Sequence, residues 1–248
     1  QGLFLSSSVP GDPDRTMQSM VAAAEILRRR HHFQGYIHLK VLPGASRAAV
    51  EAAAAVADRI SVNLEAPSAP RLRALAPDKD WAGDLRERVG WLGEMVASGR
   101  FRARSHTTQF VVGAAGESDS EIIRCVAACY ADERLSRAYY SAYQPPDRDA
   151  LPGPRGDVLT REHRLYQADW LLRKYGFSVE EIPLDTQGNL DLGRDPKQAW
   201  AERHPELFPV EVNEADYAML LRVPGIGPKT LERLKSRVTV GEGDAKRF

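Results

Sequence analysis

The stretch "YIHLKVLPGASRAAVEAAAAVADRISVNLEAPS", residues 36–68, changes its pattern twice and so indicates the fold. Residues 35–44 are rich in β-forming side chains and end at a proline and a glycine, which predicts a strand. Residues 47–59 are dominated by alanine, the best helix former, and predict a helix. Residues 60–68 alternate apolar and polar side chains and predict a second strand. A strand, a helix and a strand in this order are typical of a parallel βαβ unit.

The same alternation continues on both sides of this unit. Apolar residues at helical spacing from Met17 to Leu27 predict a helix before it, and residues 84–99 predict one after an irregular segment at 69–83. Asp119 or Ser120 is the predicted cap of a further helix. The remaining strands are predicted at 3–6, 107–118 and 137–145. We therefore expect an α/β fold, a partial (βα)6 barrel of the TIM type that lacks its first strand, with functional side chains at the carboxyl ends of its strands.

From residue 145 onward the sequence predicts a loop and helices but no further barrel strands. Residues 145–157 are rich in proline and glycine and predict an irregular loop, followed by a helix that is capped by Thr160 and stopped by Gly176. Two more helices are predicted, one that begins at the Asn213 cap and one over 228–237. The expected organisation is a barrel at 1–176, a connector at 177–212 and a small all-α helix-hairpin-helix at 213–248.

The composition limits the possible partners and locations. The 34 basic and 34 acidic residues cancel, so contact with nucleic acid requires a local basic patch. No apolar run is long enough to cross a bilayer and no signal peptide is evident, so we expect a cytoplasmic protein without a membrane partner. Because residues 1–8 have the pattern of a strand already inside a fold, we expect the chain to be a fragment.

The cysteines and histidines do not predict a metal site. The two cysteines, Cys125 and Cys129, lie among apolar residues of a predicted helix, and we expect both to be small core side chains. His31, His32 and His106 have no spacing that predicts converging ligands, and we expect them at the surface.

The segment "RVPGIGPKT", residues 222–230, has the features of a hairpin that binds a phosphate. Its two glycines permit a tight turn, its second proline suits the first position of a helix, and the following helix presents free N–H groups to an anion. An ordinary helical hairpin that only packs is the structural alternative. The predicted DNA-binding residues are Arg222, Gly225, Gly227, Lys229, Thr230 and Arg233.

Polar side chains also collect at the predicted carboxyl ends of the strands. Asn63 and Glu65 alternate with Val62 and Leu64, so both are expected to point the same way, into the barrel interior. A buried polar group without a partner costs about 2–7 kcal/mol, so these side chains are expected to meet a ligand or each other. Satisfaction by backbone groups or water is the structural alternative.

Several sequence segments together resemble those of a bacterial family of radical S-adenosylmethionine proteins that are assigned to DNA modification or repair. They are "YIHLKVLPGAS", "RISVNLEAPS", "TTQFVVGAAGESD", "YYSAYQP" and "REHRLYQADWLLRKYGF", followed by the helix-hairpin-helix. The resemblance implies a partial (βα)6 barrel with a 4Fe-4S cluster that cleaves S-adenosylmethionine to a 5′-deoxyadenosyl radical. It also implies DNA as the substrate, an electron donor, and a partner related to uracil-DNA glycosylases.

The same resemblance implies the cofactor-binding residues. Ser6 and Ser7 correspond to the strand end that holds the amino group of the cofactor, and Asn63 and Glu65 to the motif that binds its ribose. The adenine-flanking pattern is matched with altered spacing by Gly113, Gly116 and Glu117, and further residues assigned by position are Lys40, Ser68 and Gln109.

The C-x-x-x-C-x-x-C loop of that family is missing from this sequence. It is expected before residue 1, and Cys125 and Cys129 have no third cysteine. The chain alone then lacks the cluster ligands and is expected to be inactive, whereas the full-length form is expected to be an enzyme.

The residues are also compatible with two other functions. A helix-hairpin-helix DNA glycosylase/lyase would use Lys229 to form a Schiff base, with Asp244 as the nearby acid, but it requires all-helical surroundings. The second is a noncatalytic DNA-binding protein on a barrel scaffold. Tyr139, Tyr140 and Tyr143 suit either base stacking or packing on helices.

Overall fold

The computed structural model describes residues 2–8, 11–144 and 158–237. The chain divides into two compact units, one over 1–158 and one over 159–248. The predicted boundaries at 176 and 212 stay predictions, and the predicted loop at 145–157 and Asp244 lie outside the described residues.

The first unit alternates strands and helices, as the sequence predicts. Its elements are β1 (Gly2–Leu5), α1 (Pro13–Arg29), β2 (Tyr36–Lys40), α2 (Arg47–Val56), β3 (Arg59–Ser61), α3 (Ala69–Leu75), α4 (Glu87–Ser98), β4 (Ser105–Val112), α5 (Asp119–Asp132) and β5 (Arg137–Ala142). The five strands found in the described residues are parallel and neighbour one another in chain order. Sequential order is typical of a barrel, whereas a doubly wound sheet changes direction part of the way across. The prediction of an α/β fold with a parallel sheet is confirmed.

The two faces of this sheet differ in character. On β2, Ile37 and Leu39 are fully buried, and they alternate with Tyr36, His38 and Lys40, which are exposed or half-buried. A parallel strand that is covered on both faces is apolar along its whole length, so this alternation indicates that one face is partly open. Apolar residues of α2 and α4 cover the other face, and they include Val50, Ala53, Val89 and Leu92.

Two predictions for the first unit are wrong in detail. Residues 69–83 are not irregular, because α3 begins with a proline in its first turn and Trp81–Arg86 form a π-helical turn capped by the Asp80 carboxylate. The cap of α5 is Ser118, whose hydroxyl accepts a hydrogen bond from the N–H of Glu121. The Glu121 carboxylate in turn accepts from the Ser118 N–H, which completes a capping box.

The second unit is helical and has its own apolar cluster. Its helices are α6 (Val158–Tyr175), α7 (Pro196–Arg203), α8 (Tyr217–Arg222) and α9 (Pro228–Arg237). The cluster consists of Val210, Leu221, Val223, Ile226 and Leu231, so the turn between α8 and α9 packs with both helices and with the segment before α8. Within the described ranges, no helix combines the length and apolar character needed to cross a membrane.

The bounds of these helices confirm one prediction and correct two. The span of α9 agrees with the predicted 228–237. However, α6 begins at Val158, so Thr160 lies inside it. Asp216 caps α8 in place of Asn213, because its carboxylate accepts from the Met219 N–H at 2.7 Å.

Candidate functional site

A cleft of about 290 Å³ lies at the carboxyl ends of β1, β2 and β3. Four of the residues that line it, Ser7, Lys40, Asn63 and Glu65, are cofactor-binding residues predicted from the sequence. The rest of its lining consists of Ser8, Leu42, Pro43 and Lys79. The fold therefore brings together side chains from three separate strand ends.

The backbone after β3 places Asn63 and Glu65 beside β4. The ladder between β3 and β4 ends at Ser61 and Thr107, yet the Glu65 N–H donates to the Gln109 carbonyl at 2.9 Å. The Val111 N–H donates to the Glu65 carbonyl at 2.8 Å, so this segment rejoins the sheet. Its apolar members, Val62 and Leu64, are fully buried, and Asn63 and Glu65 consequently face the cleft.

Glu65 has an uncommon backbone conformation. Its φ is +62°, in the left-handed region that non-glycine residues seldom adopt. Such conformations cost of the order of 1–3 kcal/mol and cluster at binding sites, where the surrounding structure imposes them. The two β4 hydrogen bonds hold Glu65 in this conformation and thereby direct its side chain.

The cleft combines two ammonium groups with one carboxylate. Lys40 ends β2 and Lys79 lies between α3 and the π-helical turn, and both side chains line the cleft with Glu65. Among the described residues, neither the Asn63 amide nor the Glu65 carboxylate has a hydrogen-bond partner. These groups are therefore available to a polar ligand, preferably one with an anionic group and several hydroxyl or amino donors.

Three other predicted residues do not line this cleft. Ser6 is exposed beyond β1, and Ser68 caps α3 without a side-chain hydrogen bond. The backbone carbonyl of Gln109 accepts the hydrogen bond from the Glu65 N–H and so helps to hold the backbone of Glu65 in place.

The predicted glycine-rich segment forms the turn between β4 and α5. Gly113 and Gly116 have φ values of +86° and +66°, conformations that glycine adopts without strain. The buried Glu117 carboxylate accepts from the N–H groups of Gly113 and Ala115 at 2.6 and 3.0 Å. Glu117 thus closes the turn, and none of the predicted members of this turn lines the cleft.

His38 lies two residues before Lys40 on β2 and is a titratable group that the sequence did not single out, although it does not line the cleft. Its Nε2 is 2.8 Å from the Ser61 hydroxyl, and its ring lies against Phe4 with centroids 4.7 Å apart. Burial, assisted by the positive charge of Arg59, lowers the pKa of His38 to about 4. The imidazole is consequently neutral at neutral pH.

The cysteines and histidines form no metal site in the part of the chain that the structure describes. Cys129 is buried, as predicted, and Cys125 is half-buried one helical turn away. The Arg86 guanidinium donates to Cys129 Sγ at 3.1 Å, and a hydrogen bond from Cys129 lowers the pKa of Cys125.

One histidine prediction is wrong. His31 and His32 are exposed, but His106 is fully buried on β4. The Nε2 of His106 is 2.7 Å from the Glu133 carbonyl, which satisfies one polar atom of a ring that packs toward the helices. Burial also lowers the pKa of His106.

In the second unit, the predicted hairpin joins α8 to α9. Gly225 is exposed with φ +80°, and the Leu231 N–H donates to the Gly227 carbonyl as the first hydrogen bond of α9. The N–H groups of Lys229 and Thr230 therefore lie in the first turn, where helical N–H groups have no helical acceptor. The side chains of Lys229, Thr230 and Arg233 are all exposed.

Arg222 differs from the other predicted DNA-binding residues. Its guanidinium forms an ion pair with Glu181 at 2.7 Å and lies over the rings of Phe177 and Trp200. Arg222 therefore binds the body of the second unit, and among the hairpin side chains that the structure describes, those of Lys229 and Arg233 are exposed cations.

A cavity of about 440 Å³ borders the hairpin. It is lined by the turn 224–227 and Thr230, and by Tyr175, Asp195, Lys197 and Gln198 from α6, α7 and the cap of α7. The buried Lys197 ammonium donates a hydrogen bond to the Ile226 carbonyl and lies 4.6 Å from the centre of the Tyr175 ring. No local sequence pattern identifies Lys197, because its partners are distant in the chain.

Comparisons with known proteins add one structural similarity. No protein-family model matches this chain, and no curated protein sequence matches it. Among solved structures, the chain is similar to one described as "Crystal structure of a domain of pyruvate-formate lyase-activating enzyme from Bacteroides vulgatus ATCC 8482". The two are 12% identical, and the superposition covers 66% of this chain and 91% of that domain with a TM-score of 0.43. With a similarity of this size, a functional assignment depends on the residues of the chain itself.

Proposed function

We propose that this chain is the body of a radical S-adenosylmethionine protein that acts on DNA. In this proposal the strand-end cleft binds S-adenosylmethionine and the hairpin binds the DNA backbone. The supporting observation is that Ser7, Lys40, Asn63 and Glu65 line one cleft at the carboxyl ends of parallel strands. This is the edge at which parallel barrels carry their functional groups.

The groups in the cleft fit the polar parts of S-adenosylmethionine. Lys40 and Lys79 supply ammonium groups for its carboxylate, and the hydroxyls of Ser7 and Ser8 can accept hydrogen bonds from its amino group. The Glu65 carboxylate and the Asn63 amide can accept from the ribose hydroxyls. The cofactor would supply the reactive adenosyl group, and these side chains would bind and orient it.

The residues present do not fit a 4Fe-4S cluster. Such clusters are held by three or four cysteine thiolates, and this chain has two cysteines. Cys129 Sγ accepts a hydrogen bond from Arg86, and both cysteines lie on α5, away from the lining of the cleft. These two cysteines therefore cannot hold such a cluster by themselves.

The hairpin suits a phosphate group of nucleic acid. First-turn N–H groups and the helix dipole favour an anion, and Lys229 and Arg233 add exposed positive charge. Contacts of this kind reach phosphate and not base edges, so we expect binding of duplex DNA without sequence preference.

Two titrations test the proposal. The chain should bind S-adenosylmethionine in calorimetry, and absence of binding would contradict the assignment of the cleft. It should also bind a duplex oligonucleotide in fluorescence anisotropy, with an affinity that falls as salt rises.

Substitutions then locate the DNA contact. Lys229→Ala and Arg233→Ala should each weaken binding to all duplex sequences and reduce the salt slope by about one. Arg100→Ala is the matched control, since it removes one exposed cation from the first unit and should leave binding unchanged. Equal effects of all three substitutions would contradict the role of the hairpin.

A further inference from the structure

The second unit has another cavity, of about 260 Å³, along one side of α6. It shares Tyr175, Asp195 and Lys197 with the cavity that borders the hairpin, so the two cavities are adjacent. We call this second cavity the aromatic groove; its remaining lining is Tyr166, Gln167, Trp170 and Leu171.

The spacing of α6 explains the aromatic character of this groove. Tyr166 and Trp170 are four residues apart, as are Leu171 and Tyr175, and side chains at this spacing lie above one another on one helix face. The rings of Tyr166, Trp170 and Tyr175 line the groove together, and Tyr175 also borders the hairpin cavity. Trp170 is 45% exposed, which leaves much of a large apolar ring open to a ligand.

The polar groups of the groove are few and fixed. The Gln167 amide donates to the Asp195 carboxylate at 2.6 Å, and that carboxylate also accepts from the Lys197 N–H at 2.9 Å and caps α7. Cations lie against two of the rings, with the Arg173 guanidinium 5.6 Å from the Trp170 ring and the Lys197 ammonium 4.6 Å from that of Tyr175.

This combination selects the kind of ligand. A phosphate inside the groove would meet the Asp195 carboxylate, and the Lys197 ammonium beside it already donates to the Ile226 carbonyl. An aliphatic chain would leave the polar edge of the groove unused. A nucleobase is flat and aromatic, so it stacks on exposed rings. Its amino groups can donate hydrogen bonds to the Asp195 carboxylate. Because the groove borders the hairpin cavity, the phosphates next to such a base would lie near the first turn of α9.

We propose that the aromatic groove binds an unpaired nucleobase of a nucleic acid strand whose backbone lies on the hairpin. This inference rests on the proposed DNA binding by the hairpin and adds the recognition of a base that is not paired. It gives the second unit a preference for strands with an unstacked base, in place of uniform binding to any duplex.

The test compares two duplexes that differ in one unpaired base. One duplex is fully paired, and the other carries a single bulged 2-aminopurine, whose fluorescence falls when it stacks on an aromatic ring. Because stacking of a base on an aromatic ring favours binding, the wild type should bind the bulged duplex about tenfold more tightly and quench its fluorescence.

Variants assign that preference to the groove. Trp170→Leu should abolish the preference and the quenching while binding to the paired duplex stays unchanged. Tyr36→Leu removes a similarly exposed ring from the first unit and should behave as wild type. Lys229→Ala should weaken binding to both duplexes by the same factor.

The outcomes separate this inference from the function on which it rests. If the wild type binds neither duplex, DNA binding by the hairpin is wrong and this inference fails with it. If it binds both duplexes equally, or Trp170→Leu keeps the preference, this inference alone is wrong. If free deoxyadenosine monophosphate competes as strongly as the bulged strand, the groove binds a free nucleotide and the inference is also wrong.

Discussion

The side-chain ammonium of Lys197 donates a hydrogen bond to the backbone carbonyl of Ile226, at the centre of the turn between α8 and α9. The same ammonium lies over the ring of Tyr175, on α6. The conformation of the hairpin is therefore tied to two other helices of the second unit, and does not depend on its glycines alone. Perturbing these contacts should change the hairpin without a change in its own sequence.

Lys197 should make stability depend on pH in the alkaline range. Burial lowers its pKa from 10.5 to about 8, although Asp195 opposes this shift. Between these values the unfolded chain binds more protons than the folded one, so the unfolding free energy of wild type should rise with pH. Relative to Lys197→Met, the rise should be at most about 3 kcal/mol, because contacts with Ile226 and Tyr175 favour the charged form.

Urea unfolding of both proteins from pH 7 to pH 10.5 measures this difference. Lys174→Met removes an exposed lysine from the same unit and should follow wild type at every pH. Parallel curves for wild type and Lys197→Met would show that the Lys197 pKa is not lowered by folding.

Gly227→Ala should destabilise the second unit through contact with Tyr175. A Cβ at Gly227 would lie 2.9 Å from the Tyr175 hydroxyl oxygen but 3.9 Å from its ring carbon. We expect a loss of about 1 kcal/mol in unfolding free energy, most of which should disappear in a Tyr175→Phe background.

Gly225→Ala provides the matched control. No atom lies within 4 Å of its added Cβ, and its φ of +80° alone should cost about 1 kcal/mol. That loss should be the same with Tyr175 or Phe at position 175. If both alanine variants respond equally to Tyr175→Phe, the contact has no role.

His38 should make the first unit sensitive to acid. Its pKa is lowered from 6.5 in the unfolded chain to about 4 in the folded one. The unfolding free energy that comes from keeping His38 neutral is therefore fully present above pH 6.5 and is lost as the pH falls toward 4. The loss should be at most about 3 kcal/mol. His38→Gln keeps a polar group near Ser61 and should show a smaller loss of unfolding free energy over this range.

Denaturant unfolding between pH 4 and pH 7 measures the effect. The exposed His31, changed to Gln, serves as the control and should keep the acid sensitivity of wild type. An unchanged acid sensitivity in His38→Gln would exclude His38 as its source.

The sequence predicts the sheet better than the segments that cover it. Alternating strands and helices fix the parallel order because each pattern is local, and α9 has the predicted bounds for the same reason. The prolines of 69–83 predict an irregular segment, but Pro70 lies in the first turn of α3, where a missing N–H costs nothing. In 213–216, two residues can cap a helix, and only tertiary packing selects Asp216.

The candidate site was predicted in part for similar reasons. The alternation over 62–65 places Asn63 and Glu65 on one side, and this is a local property of the chain. Lys79 was missed because it reaches the cleft from a connecting segment whose path depends on contacts such as that of Trp81 Nε1 with the Ala66 carbonyl. The buried His106 was missed because its partner, the Glu133 carbonyl, follows a different helix.

The affinity of Glu65→Gln for S-adenosylmethionine, measured by calorimetry against wild type, tests the central claim most directly. This substitution keeps the size of the side chain but removes the charge that would accept from the ribose hydroxyls. A hydrogen bond to a charged group contributes about 1.5–3 kcal/mol, so the affinity should fall about tenfold or more. Glu25→Gln, at a half-buried site on α1 where the carboxylate pairs with Arg29 and does not line the cleft, should bind as wild type. Equal affinities for wild type and both variants, or no binding by wild type, would contradict the assignment of the cleft.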